Sequence, residues 1–194
     1  MASMRLHRTI TPDRPLLVVA LEEEATHLHV SDLPVLVTGV GKVNAAVAVA
    51  TTLGQFSPSR VVNLGTAGAL RDGLAGTYVI RRVIQHDLDD DALFHLTGLH
   101  FGEGIDVADE GLTLATGDSF VTDAALRARL ASKADLVDME AYAVAQAAQL
   151  AGVPITIVKE VSDSADGSAA RSWRESVDIC AERLGAWVRG NLLG

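Results

Sequence analysis

The chain has 194 residues, 16 Lys and Arg against 25 Asp and Glu for a net charge of −9, and 48% hydrophobic residues. That length suits one domain with a sizeable core. The composition excludes a disordered chain, and an acidic balance without any Lys/Arg-rich run excludes nucleic acid as a partner.

Residues 1–14 read as a flexible leader without a signal-type apolar core, followed by a single domain over 15–194. "LLVVAL" (16–21) is a continuous apolar run between Pro15 and the acidic triplet Glu22-Glu23-Glu24, and reads as a buried strand. "PVLVTGVG" (34–41) is a second strand with a glycine-rich exit, and "KVNAAVAVATTLGQF" is an Ala-rich helix closing at Gly54. "RVVNLGTAGAL" (60–70) is another strand with a glycine-rich exit, and "TYVIRRVIQHDL" (77–88) is β-branched and extended. Segment 89–112 has many Asp and Gly and little periodicity, and reads as loop with a short strand. "TLATGDSF" (113–120) is a strand, and 122–133 a helix with Thr122 as its N-cap. Then come strand 135–138, helix 139–151, strand "PITIVKEVSD" (154–163) and a helix from about Ala170 to Leu192.

Apolar strands alternating with helices predict an α/β fold of three layers. A central, mostly parallel mixed sheet carries helices on both faces, and ligands in such folds bind at strand exits. The apolar runs are too short to span a bilayer. Together these features read as a soluble cytoplasmic protein.

The unusual residues sit at the exits. Gly39 and Gly41 of "GVGK" allow a close approach to a ligand or form a tight turn; the stretch is neither G-x-G-x-x-G nor a P-loop. Cys180 is the only cysteine, so neither an intramolecular disulfide nor a cysteine metal site is available. The six histidines show no zinc-type spacing beside a carboxylate, and His27-x-His29 reads as a solvated pair, so no metal is expected. In "LVDMEAYAVAQ" (136–146) Asp138 reads as a helix N-cap. Glu140 lies opposite a polar face of Tyr142, Gln146 and Gln149 and in register with Val144, Ala147 and Ala151. It either complements the helix dipole or needs a partner over the apolar face. Glu22–Glu24, Glu140 and Asp163 thus place acids at three exits, and the fold class allows them to converge into a general acid and a base.

Four stretches in this order resemble the nucleoside phosphorylase/nucleosidase superfamily, most closely 5′-methylthioadenosine/S-adenosylhomocysteine nucleosidase. They are "VVALEEEATHL" (18–28), "VTGVGKVNAAVA" (37–48), "VVNLGTAGAL" (61–70) and "DMEAYAVAQAAQLAGVPITIVKEVSDSAD" (138–166), with a weaker fifth in "ATGDSFV" (115–121). The resemblance implies a nucleoside phosphorylase/hydrolase-like fold and hydrolysis of the N-glycosidic bond of a purine nucleoside. The expected assembly is a homodimer, with water as nucleophile and no cofactor. It implies Glu24 as the base holding water and Asp163 as the acid protonating purine N7. Glu140 would grip the ribose hydroxyls and Met139 pack on the sugar. Phe120 would stack on the purine beside Val121, and Trp173 would lie near the 5′ group or serve as a core residue. Val40, Thr66, Ala67, Gly68 and Ser162 complete the implied substrate-binding set. Phosphorylases need arginines to hold phosphate, whereas the first exit here carries three acids and Asn63 stands where such enzymes tend to have Arg. Lys159 replaces an expected Arg, and Glu160, where a small residue is typical, is expected to add an acid near the site. The alternatives are a futalosine-type or other purine nucleoside hydrolase, a phosphorylase, and an inactive nucleoside-binding member.

Overall fold

The computed structural model describes residues 4–29, 31–167 and 169–193. In chain order the elements are β1 (Arg5–His7), β2 (Leu16–Val19), α1 (Glu22–Ala25), β3 (Val35–Val37), α2 (Lys42–Leu53), β4 (Val61–Ala69) and β5 (Thr77–Gln85). There follow α3 (Asp90–Thr97), β6 (Ile105–Asp106), β7 (Leu112–Thr116), α4 (Ala124–Ala131), β8 (Leu136–Asp138), α5 (Ala141–Leu150), β9 (Ile155–Asp163) and α6 (Ala169–Leu192).

The strands form one mixed sheet. β2 lies between β3 and β4 with parallel pairing on both sides, and β1 pairs antiparallel on the outside of β3. From β4 the sheet runs on through β8, β7 and β5, and β9 pairs with both β4 and β5. Five strands thereby close into a ring, while β2, β3 and β1 extend from β4 as an open wing. The alternation of side chains in β2 explains the helical layers. Leu16 and Val18 pack with Ala45, Val49, Val144 and Ala148 of α2 and α5. Leu17 and Val19 point the other way, into a cluster with Ala25 of α1 and Leu184 and Val188 of α6. This is the expected α/β fold with helices on both faces. Among the described residues, no helix is long and apolar enough to cross a membrane.

Four local expectations need correction. Part of the supposed leader is β1, whose Arg5 and His7 register with Val37 and Val35, and Ile10 is in the core; residues 1–3 lie outside the described residues. Segment 89–112 holds a helix, α3, capped by Asp89 through the Ala92 N–H at 3.1 Å and ended by Gly98 at φ 72°. α4 is capped by Asp123, which accepts from the Leu126 N–H at 2.8 Å, and not by Thr122. Tyr142 is not on a polar face: it is buried, and its hydroxyl donates to the Glu103 carbonyl at 2.9 Å.

Candidate active site

The ends of β2, β3, β4, β7, β8 and β9 open into one cavity of about 410 Å³. All twelve residues singled out in the sequence line it: Glu24, Val40, Thr66, Ala67, Gly68, Phe120, Val121, Met139, Glu140, Ser162, Asp163 and Trp173. Ala20, Leu21, Ser119, Val137, Asp138 and Ala165 complete the wall. Apart from Asp138, read from the sequence as a helix cap, their only signal there is nearness to the residues already named.

Glu24 sits at the third position of α1. There its carboxylate turns back on its own helix start, with Oε2 accepting from the N–H groups of Ala20 at 3.1 Å and Leu21 at 3.2 Å. Oε1 accepts from the Thr66 N–H at 2.9 Å and the Thr66 hydroxyl at 3.1 Å. Four donors thus fill a carboxylate with roughly four lone-pair positions. The Thr66 oxygen in turn accepts from Trp173 Nε1 at 3.0 Å. Trp173, left open between a core and a site role, is tied through Thr66 to the acid.

Glu140 is 8% exposed. It occupies the N-cap position of α5 without a side-chain capping bond; Asp138 instead accepts the Ala141 N–H at 2.9 Å. Glu140 Oε1 reaches the Gly41 N–H at 2.8 Å. The φ of 94° at Gly41, a conformation that suits glycine, aims that N–H at the acid. The glycine turn therefore holds Glu140 and also brings Val40 to the cavity wall. Burial pushes the Glu140 carboxyl up to about 8, helped by the nearby charges of Asp138 and Glu24 and opposed by Lys159 and the Gly41 N–H.

Lys159 is the counter-charge. Its side chain and that of Asp138 are 2% and 1% exposed, and Nζ lies 2.9 Å from Asp138 Oδ2. Burial works against the ammonium charge, but Asp138, Glu140 and Glu24 outweigh it and hold Lys159 above the ordinary lysine range. Asp138 also accepts from the Thr116 hydroxyl at 2.6 Å. The partner that Glu140 requires is thus a shared network of three acids around one lysine.

Asp163 ends β9, just past a bulge that shifts the β4–β9 register so that Gly68 faces Asp163. Its Oδ2 accepts from the Ser162 hydroxyl at 2.7 Å and its Oδ1 from the Ala165 N–H at 2.8 Å. Ala165 holds φ 48°, an uncommon conformation for a residue with a Cβ. A Cβ at Gly68 would stand 3.0 Å from both Asp163 Oδ1 and the Ala165 methyl, so a larger residue there would press on Asp163. Phe120 is 48% exposed, at the rim.

Two residues fall outside the cavity. Asn63 donates to the Val18 carbonyl at 3.1 Å, within the sheet. Glu160, expected to add an acid near the site, turns away from it. Next to Lys159 on β9 it points to the opposite face, where it accepts from Arg183 at 2.7 Å and from the Thr77 hydroxyl. No Arg or Lys is among the described residues lining the cavity, whereas Glu24, Asp138, Glu140 and Asp163 are.

A model of the Phosphorylase superfamily matches residues 22–113 and 102–190. The chain is 33% identical over 189 residues to a 5′-methylthioadenosine/S-adenosylhomocysteine nucleosidase of Marinomonas sp. (strain MWYL1), covering 84% of this chain and 81% of that one. It is 36% identical over 174 residues to one of Bacillus pumilus, covering 75% and 74%. Two Helicobacter pylori structures are similar in fold. A 5′-methylthioadenosine/S-adenosylhomocysteine nucleosidase has a TM-score of 0.84 at 23% identity, covering 92% of this chain and 97% of that one. A futalosine hydrolase has a TM-score of 0.84 at 22% identity, covering 92% and 96%.

Proposed function

Because the chain belongs to the Phosphorylase superfamily, we propose that it hydrolyses the N-glycosidic bond of a purine nucleoside of the 5′-methylthioadenosine/S-adenosylhomocysteine type and releases the free base. In this reading the C1′–N9 bond breaks through an oxocarbenium-like state. Asp163 hands a proton to purine N7, so the base leaves neutral. Water bonds to C1′ and passes a proton to Glu24, whose Thr66 hydroxyl contact at 3.1 Å yields to the water. Glu140 accepts the ribose hydroxyls, Met139 packs on the sugar and Phe120 covers the purine. Each proton transfer contributes on the order of 10²–10⁴ in rate.

The observation that carries hydrolysis over phosphorolysis is the charge of the lining. A phosphate dianion would meet four acidic side chains and no arginine or lysine. The test measures base release across purine nucleosides, futalosine included, with and without phosphate. Release at equal rates in both conditions, with a free sugar product, is expected. A sugar 1-phosphate formed only when phosphate is added would overturn it. Futalosine cleaved in preference to 5′-methylthioadenosine would reassign the 5′ substituent.

The same proposal places the enzyme in the cytoplasm as a homodimer. Exposed Val43, Val47 and Leu150 on α2 and α5 support self-association. Light scattering at the dimer mass is the expected result.

A further inference from the structure

Outside the cavity lining, three short segments within the first 29 residues bring two imidazoles and a carboxylate together. His7 ends β1, Glu22 opens α1 and His29 follows it. Their ligand-type atoms all lie within 4.8 Å of one another, the one such grouping among the described residues. His7 Nε2 is 3.2 Å from Glu22 Oε2, and the two rings meet edge to face at 4.8 Å.

The arrangement is held from behind. Arg8, directly after His7, sits at φ 73°, a conformation that persists only where the surroundings enforce it. Its guanidinium donates to the His29 carbonyl at 2.8 Å, to Asp32 at 3.0 Å and to the Ser31 carbonyl. One arginine therefore fixes the strand that carries His7 to the segment that carries His29. Arg5 is the other charged neighbour, 3.4 Å from Glu22 Oε1; His7 Nε2 faces both carboxylate oxygens, at 3.3 Å from Oε1 and 3.2 Å from Oε2.

We propose that His7, Glu22 and His29 bind one divalent transition-metal ion of the zinc type, tying β1 to the start of α1. Two nitrogen donors, one carboxylate oxygen and an open position for water suit tetrahedral zinc. Bonds of about 2.0–2.1 Å place such donors ~3.3 Å apart, a spacing the His7–Glu22 pair already has. Rotation of the His29 side chain closes the rest. A single carboxylate offers too few oxygens for calcium or magnesium. Copper and nickel compete with zinc by intrinsic affinity.

The test uses the full chain stripped with a chelator, titrated with zinc chloride by calorimetry and with cobalt(II) by absorption. One zinc per chain, tetrahedral cobalt bands and a zinc-dependent rise in Tm are expected. His7→Ala and His29→Ala should each weaken zinc binding at least ~10-fold, the penalty known even for groups that only orient ligands, and abolish the rise in Tm. His95→Ala, on α3, should change neither. His7→Gln and His29→Gln, with metal-free Tm matched to the parent, guard against misfolding. Absence of saturable zinc binding, or binding unchanged in the folded His7 and His29 variants, overturns the proposal.

Discussion

Lys159→Met tests the charge network under the site. Methionine keeps the length and most of the volume of the side chain, so what is removed is the ammonium. At 2.9 Å from Asp138 the attraction is worth about 6 kcal/mol at an effective dielectric of 20, of the same order as the roughly 3–5 kcal/mol lost when a buried pair is broken from one side. Against a total stability on the order of 5–15 kcal/mol, that is a severe loss. With roughly 2–4 °C per kcal/mol for a domain of this size, Tm should fall by about 6–20 °C in scanning calorimetry. The loss should narrow as pH falls below about 8, because Glu140, raised to about 8, carries its proton there and no longer needs the ammonium. Adding Asp138→Asn removes the stranded charge, and the double variant should regain at least ~1 kcal/mol over Lys159→Met, within the usual range for coupled neighbours. A Tm loss below about 2 °C, or a double variant no more stable than the single one, refutes the account of Lys159 as the counter-ion.

Asp163→Asn should lower kcat at least about 10²-fold with a smaller change in KM, as when a proton donor to the transition state is lost; wild-type turnover in steady-state assays would remove Asp163 from the chemistry. Glu140→Gln should weaken ribonucleoside binding by about 1.5–3 kcal/mol and 2′-deoxy analogues much less, read by calorimetry; equal losses would make Glu140 structural. The folded carboxyl of Glu140 is raised from 4.5 to about 8, so its contribution is complete below the unfolded value and is lost as pH climbs through the folded one. Urea denaturation should therefore show wild-type stability declining from pH 5 to 9 and a flatter profile for Glu140→Gln.

The wing and the helices were legible because their signals are local. β2 is an unbroken apolar run with both faces covered, and the Ala-rich α2 and α5 carry the stripes that cover one of them. α3 was not legible from periodicity, because an eight-residue helix with no buried residue has no apolar stripe to display. Its cap and terminal glycine were present in the sequence as Asp89 and Gly98. The cavity lining followed from glycine turns and acids at strand ends. What adjacency in sequence does not contain is the pairing of β9 with β4 and β5 at once, and this pairing decides the fate of two neighbouring residues. It points Lys159 at Asp138 and turns Glu160 out to Arg183. The meeting of His7, Glu22 and His29 depends in the same way on β1 joining the sheet, which the short, polar, uncapped stretch gave no reason to expect.

The closure of the ring also sets the order in which the molecule can be made. β4 is synthesised early, but on one edge its partner over residues 61–68 is the stretch 155–163, close to the end of the chain. Until β9 emerges, β4 and β5 each present an open strand edge, of the kind that recruits other chains. A nascent chain halted after α5 has its glycine turns and Glu140 but neither Lys159 nor Asp163, and two strands without their shared neighbour. The last strand thus completes the hydrogen-bonded ring, delivers the counter-charge for the buried acids and installs Asp163 in a single event, so the site comes into being only when the exposed edges disappear.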